Sequence, residues 1–136
     1  MDRQLGLWID HKQAYLIRNG ARKVEIIPSN VKRRAHFTGG ARIRGIYNQK
    51  MDSEHHHDDH YRMQLDKYYA QIIKTIQNAD SILLMGPGEA KLELKKEIQK
   101  HADLRNRLIK VEPADKMTVK QMLAHVRSFF ETLLNK

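Results

Sequence analysis

The chain has 136 residues, 40% of them apolar, which suffices for one globular domain but not for two independent cores. Its 25 lysines and arginines outnumber 16 aspartates and glutamates, and the resulting formal charge of +9 favours a polyanionic partner. There is no cysteine, which excludes disulfides, thiolate metal ligands and a cysteine nucleophile. We therefore expect a single domain over residues 1–136.

The N-terminal part of the chain alternates apolar and polar residues. Three short runs between Leu5 and Ile27 are separated by turns at Asp10-His11-Lys12 and Asn19-Gly20. Asn-Gly between alternating runs is a strong hairpin signal, because both residues accept a positive φ. The pattern predicts three antiparallel strands, the last ended by Pro28. Because no long apolar segment opens the chain, we expect a cytoplasmic protein without membrane contact.

A basic stretch follows the third predicted strand. No period persists there, so residues 29–59 are predicted to be a basic Gly-Gly loop and a His-rich insertion. Like charges repel each other and keep their hydration, which indicates an external phosphate-rich partner, with RNA as the first candidate. A solvated loop without a partner is the alternative. No acidic residue occurs between Glu25 and Asp52, where the cations are Lys32, Arg33, Arg34, Arg42, Arg44 and Lys50.

The second half of the chain alternates helical and strand-like patterns. Helical spacing of apolar residues predicts an amphipathic helix over about residues 60–78, and the apolar run 81–85 predicts a buried parallel strand. A helix from about 90, a strand over 108–111 and a helix over 119–133 follow. The order β-β-β-α-β-α-β-α with right-handed crossovers predicts an α/β fold with a ribonuclease-H-like mixed sheet.

Two acidic residues raise the possibility of a metal-dependent nuclease. Enzymes of this fold hold two metal ions with several carboxylates, and Asp10 stands where the first would be. Only Asp115 is placed to join it, and two acids do not complete such a site. A simpler prediction for Asp10 is a turn residue that accepts backbone hydrogen bonds. A metal-dependent hydrolase or nuclease stays as the alternative function.

The histidine-rich run 54–60 is a second candidate metal site. His56 and His60 share one helical face if the helix starts early enough, and imidazoles at that spacing bind zinc or nickel. The competing interpretation is structural: the run lies at the junction of loop and helix, where acidic side chains complement the positive helix N-terminus. We favour this capping role over a specific metal site.

Gly86-Pro87-Gly88 joins a strand to a helix, as phosphate-binding loops do. The stretch lacks the longer glycine loop and the Lys-Ser/Thr end of a nucleotide site, so we expect no cofactor and predict tight strand-to-helix packing instead. Trp8, Tyr68 and Tyr69 are predicted to be core residues, whereas Tyr47 and Tyr61 flank the basic loop and are available to stack on a base.

Four stretches resemble one protein family: Leu5–Asp10, Lys12–Ile17, Lys32–Gly40 and Ile82–Lys91. Together they are similar to the central domain of the archaeal and eukaryotic class-1 peptide-chain release factors, and to single-domain bacterial relatives of that domain. The resemblance runs from about Leu5 to Phe130 and implies a ribonuclease-H-like fold. In the family, a Gly-Gly-Gln tip on a basic loop enters the peptidyl-transferase centre, where the glutamine helps hydrolyse peptidyl-tRNA.

This chain departs from the family at the tip, where Ala41 follows Gly39-Gly40. Alanine has no amide to orient a water, so we expect no catalytic activity. We also expect the protein to lack the codon-reading and partner-recruiting domains of a full release factor. The resemblance implies a translation-associated protein, in rescue or hibernation, whose partner is the ribosome, through rRNA or tRNA; a protein-docking module is a further alternative. The implied RNA-binding residues are Lys32, Arg33, Arg34, His36, Thr38, Gly39, Gly40, Arg42 and Arg44, with Phe37 supporting the tip.

Overall fold

The computed structural model describes residues 3–31 and 47–134, and for residues 47–58 it describes the backbone alone. Within these ranges the chain forms a five-stranded sheet and four helices. The strands are β1 Gln4–Ile9, β2 Gln13–Arg18, β3 Glu25–Pro28, β4 Ser81–Gly86 and β5 Leu108–Pro113, and the helices are α1 Tyr47–Thr75, α2 Ala90–Gln99, α3 Ala102–Arg105 and α4 Val119–Leu134.

The sheet is mixed and has the strand order β3-β2-β1-β4-β5. β2 pairs antiparallel with both β1 and β3, as two short hairpins require. β4 runs parallel to β1 on one side and to β5 on the other. The helix α1 connects β3 to β4, and α2 and α3 lie between β4 and β5. This element order and sheet confirm the predicted ribonuclease-H-like α/β fold. The short helix α3 was not predicted.

The central strand is β1, which is hydrogen-bonded to a strand on each side. Its residues from Leu5 to Ile9 are all buried, as a strand covered on both faces requires. Leu5, Leu7 and Ile9 belong to the core under α1 and α2, whereas Trp8 belongs to the core under α4. The period of two along β1 therefore separates two apolar layers.

Helices cover both faces of the sheet with apolar stripes. Tyr68 and Tyr69 are buried in the larger layer together with the apolar residues of α1 and α2, so their predicted core role is confirmed. In the smaller layer Trp8 packs with Met122, Val126 and Phe130 of α4, which confirms its core role as well. None of the helices in residues 3–31 and 47–134 has the length and apolar character needed to cross a membrane.

The start of α1 differs from the prediction. The helix begins at Tyr47, not near residue 60, so residues 47–59 of the predicted loop and insertion have helical backbone. Its first turn carries no acidic residue, and the predicted capping of a helix N-terminus by the acidic residues of the His-rich run is therefore wrong. Sequence patterns detect a helix by its core-facing apolar stripe, and here that stripe covers only the C-terminal half.

Gly86 has a different role from the one predicted. A Cβ atom at this position would overlap the carbonyl oxygen of Ile9, which lies on the neighbouring strand β1. Glycine is thus required for the close approach of two strands, and not for packing of the strand against a helix. Gly88 lies two residues further on, and a Cβ atom there would enter open space.

These two glycines form a matched pair for mutation. We expect Gly86→Ala to lower the free energy of unfolding by about 2 kcal/mol or more, because backbone must move to admit the methyl group. Gly88→Ala should be neutral or stabilising by up to about 1 kcal/mol. Urea denaturation of both variants measures this. Equal stability of the two would contradict the assigned β1–β4 approach.

Candidate nucleic-acid interface

The nine RNA-binding residues implied by the resemblance all fall within residues 32–46, here called the basic segment, which lies outside the described residues. The structure does describe the residues on either side of this segment. Val31 precedes the segment and packs against the larger core layer, and Tyr47 opens α1 after it. The basic segment therefore connects Val31, at the core, with Tyr47, the first residue of α1.

The chain enters the basic segment at the carboxyl end of the sheet, where β1, β3, β4 and β5 finish. The backbone N–H of Ser29 donates to the carbonyl of Lys12 at 2.9 Å, so the end of β3 is tied to the turn after β1. Asn30 has a φ of 55°, a conformation that asparagine tolerates better than most residues. The Ser29 hydroxyl then accepts from the N–H of Val31 at 3.3 Å.

Asp10 shapes the turn beside this entry. One of its carboxylate oxygens accepts hydrogen bonds from the N–H groups of Lys12 and Gln13, at 2.8 and 2.9 Å. This confirms Asp10 as a turn residue. Asp115 is exposed, and its backbone carbonyl accepts a hydrogen bond from the Trp8 indole at 3.2 Å. No group of three or more His, Asp or Glu side chains that could hold a metal ion occurs among the described residues.

A polar chain links α1, α2 and the turn at the same end of the sheet. The Tyr69 hydroxyl donates to one carboxylate oxygen of Glu93 at 2.5 Å, and the Nε2 atom of His11 lies 3.1 Å from the same oxygen. The Tyr68 hydroxyl donates to the carbonyl of Asp10 at 2.9 Å. Two tyrosines of α1 therefore fix this helix to the turn after β1 and to α2.

Both tyrosines are held in their protonated form. Burial raises the pKa of Tyr68 well above the ordinary value of about 10, and the negative charge of Asp10 adds to the effect. Burial also raises the pKa of Tyr69, and the hydrogen bond to Glu93 raises it further. Each hydroxyl is thus a permanent donor over the physiological pH range, which keeps α1 in one register on the sheet.

The helix α1 continues far beyond this anchor. Tyr61 is half-buried against the larger core layer, whereas Asp59 and His60 are exposed. From Tyr61 back to Tyr47 the helix runs for fourteen residues, about 21 Å at 1.5 Å per residue. Because Tyr68 meets the carboxyl end of β1, these turns extend past that end of the sheet. The basic segment thus joins the core at Val31 to the far end of a projecting helix.

The histidine-rich run lies within this projecting part of α1. His56 and His60 are four residues apart in a continuous helix and therefore share a face, as the sequence prediction required. The side chain of His60 is exposed, and that of His56 lies outside the described side chains. A metal site on this pair stays a prediction.

Sequence reasoning did not identify the hydrogen bonds that Glu93 makes with Tyr69 and His11. These residues are 24 and 82 positions apart along the sequence, so no local spacing reveals their contact. The only available signal was the position of His11 in the turn after the first strand and of Glu93 in the helix after the fourth. Carboxyl ends of neighbouring parallel strands are the usual place for ligand contacts in open α/β sheets.

No protein-family model matches the chain, and the search of curated proteins finds no match. Among solved structures the chain is similar to a crystal structure of the archaeal translation termination factor aRF1, with 13% sequence identity and a TM-score of 0.48. The similarity covers 96% of this chain and 40% of that one, so this chain spans less than half of the length of the archaeal one.

The two buried tyrosines predict a loss of stability in alkali. Unfolded tyrosine ionises near pH 10, whereas folded Tyr68 and Tyr69 stay protonated. The unfolded state then binds fewer protons than the native state, so this stability is complete below about pH 10 and declines as pH rises, by up to about 1.4 kcal/mol per tyrosine and pH unit.

Urea unfolding at about pH 9 and about pH 11 measures this decline. The Tyr68→Phe/Tyr69→Phe variant should lose less stability between these two pH values than the wild type does. An equal loss in both proteins would show that the two hydroxyls ionise freely in the folded state, contrary to the hydrogen bonds described.

Proposed function

We propose that this chain is a non-catalytic, translation-associated protein that binds ribosomal RNA or tRNA in the cytoplasm through its basic segment. The observation that carries the proposal is an arrangement of charge and shape. Residues 32–46 contain five lysines and arginines and no acidic residue, and they connect the core to the start of a helix whose stretch from Tyr47 to Tyr61 is about 21 Å long.

Repulsion among the cations of the basic segment favours a phosphate-rich partner. Cations on one uninterrupted stretch repel each other, and a phosphate backbone removes this repulsion while releasing condensed counterions. The described part of the domain differs, because its cations alternate with acidic residues and several of them form ion pairs, such as Arg18 with Glu25 and Lys100 with Glu97. The fifteen residues 32–46 alone carry +5 of the formal net charge of +9.

The projecting helix gives this charge a geometry suited to a large partner. A ribosome or a tRNA presents phosphates in grooves and clefts, and a cationic segment attached to the start of a projecting helix can reach them without docking of the whole domain. The hydrogen bonds of Tyr68 and Tyr69 fix the direction in which α1 leaves the sheet. A rigid support lowers the entropy lost on binding.

The absence of catalysis follows from the tip sequence. Ala41 stands where the resembling family has the glutamine that takes part in hydrolysis of peptidyl-tRNA. A methyl side chain neither donates nor accepts a hydrogen bond, so release chemistry of that kind has no group to perform it. The role that remains for the Gly-Gly tip is occupancy of an RNA site, as expected of a rescue or hibernation factor.

We expect the protein to sediment with ribosomes at low salt and to be released as salt rises, because each neutralised phosphate binds counterions again on dissociation. The Arg33→Glu/Arg34→Glu variant should sediment weakly, and the slope of log affinity against log salt should become shallower by about 1.4 to 1.8 for two lost contacts. Co-sedimentation over a salt series measures both quantities.

The matched control is Arg22→Glu/Lys23→Glu. This pair is also adjacent in the sequence. Its two side chains are exposed in the β2–β3 turn, which lies at the opposite end of the sheet from the entry to the basic segment. The control changes the net charge by the same amount and should keep nearly wild-type binding. Equal losses in both variants would mean that net charge alone attracts the protein to ribosomes. Sedimentation that survives nuclease treatment would favour the protein-docking alternative.

A further inference from the structure

We infer that His11 and Tyr61 form a stacking site for an unpaired RNA base, so that the partner of the basic segment is single-stranded RNA. This inference rests on the proposed function and names the class of RNA. The two rings lie at the carboxyl end of the sheet with their centroids 6.5 Å apart and their planes at 75°. Because the two planes are nearly perpendicular, a base that stacks on the face of one ring meets the edge of the other.

The pair is held in place before any ligand arrives. The Nε2 atom of His11 lies 3.1 Å from the Glu93 carboxylate, and that carboxylate accepts a second hydrogen bond from Tyr69. Tyr61 packs against the larger core layer. The His11 side chain nevertheless stays 28% exposed. Rings that are already ordered lose little conformational entropy when a base stacks on them.

The site adjoins the entry to the basic segment. Lys12 follows His11, and its carbonyl accepts the hydrogen bond from the Ser29 N–H at 2.9 Å. Lys32 is three residues after Ser29 in the sequence, and three residues of fully extended chain span at most about 11 Å. An RNA strand whose phosphates contact the first cations of the segment therefore passes close to the two rings.

Exposed cations follow both rings in the sequence. Lys12 comes directly after His11 and Arg62 directly after Tyr61, and both side chains are exposed and available for phosphate contacts. The carboxylates of Asp10 and Glu93 are engaged, since Asp10 accepts backbone hydrogen bonds in its turn and Glu93 binds Tyr69 and His11.

Stacking selects unpaired nucleotides for a geometric reason. In a duplex the faces of each base are covered by its neighbours, whereas a single strand can turn a base out onto an aromatic ring. Tyrosine, histidine and the other aromatic side chains provide such platforms, each worth about 1–3 kcal/mol, or about 5-fold or more in affinity. The basic segment alone would attract duplex and single-stranded RNA alike. The two rings therefore account for the preference for single-stranded RNA.

The test compares a short single-stranded RNA carrying one 2-aminopurine with its duplex, and measures anisotropy for affinity and 2-aminopurine fluorescence for stacking. His11→Ala and Tyr61→Leu should each raise the Kd for the single strand about 5-fold or more and abolish the quenching of 2-aminopurine. Binding of the duplex should change by less than about 2-fold, because the phosphate contacts remain.

The matched controls lie on the other face of the sheet. His125 is also held by a glutamate, with its Nε2 atom 2.7 Å from Glu112, and Phe129 is a partly buried aromatic residue of α4. His125→Ala and Phe129→Leu should leave single-strand affinity and quenching unchanged. Circular dichroism and thermal melting of all four variants identify any that fail to fold, and the two target substitutions serve as independent checks on each other.

The outcomes separate this inference from the function on which it rests. Binding of both RNAs by the wild type, with neither His11→Ala nor Tyr61→Leu altering the quenching, would overturn the stacking site and leave the proposed function intact. Failure of the wild type to bind either RNA would overturn both. Loss of single-strand binding and quenching in the two target variants alone supports the site.

Discussion

The fold depends on the burial of one strand, β1, on both faces. Its central position requires a strand on each side, and its alternating side chains fill two separate apolar layers. At its carboxyl end, the Asp10 carbonyl accepts a hydrogen bond from Tyr68 of α1. Gly6 and Gly86 are necessary at this strand: a Cβ atom on the first would overlap Val126 of α4, and one on the second would overlap the Ile9 carbonyl. Close packing around β1 therefore fixes the pairing of β4 with β1 and the position of α4 on the sheet.

The turn at the end of β1 in turn fixes the position of the long helix α1. The Asp10 side chain closes the turn, Tyr68 binds the Asp10 carbonyl, and Tyr69 binds Glu93 of α2. These contacts join three elements at the place where the chain leaves for the basic segment, and they fix the direction in which α1 extends past the sheet. The same partly buried hydrogen bonds orient His11, so the support of the helix and the nucleotide site that we infer share one set of hydrogen bonds.

Sequence patterns predicted the parts of the molecule that depend on an apolar core. Period-two alternation along β1 and β2, the Asn19-Gly20 turn and the apolar stripes of the helices determined the sheet and the fold, because each is a local pattern that burial imposes. The beginning of α1 was missed because a helix beyond the sheet needs no apolar stripe. The contacts of Glu93 with Tyr69 and His11 were missed because they join distant positions. The turn role of Asp10 was predicted, since its hydrogen bonds are to the next few residues.

The central claim is that RNA meets this protein at the end of the sheet from which the basic segment and α1 extend. Ultraviolet crosslinking to 4-thiouridine-labelled RNA, with the crosslinked peptides identified by mass spectrometry, tests it most directly. The account predicts crosslinks within residues 32–46 and at His11 or Tyr61, and none in the β2–β3 turn that carries Arg22 and Lys23. Crosslinks confined to that turn or to the exposed face of α4 would contradict the account.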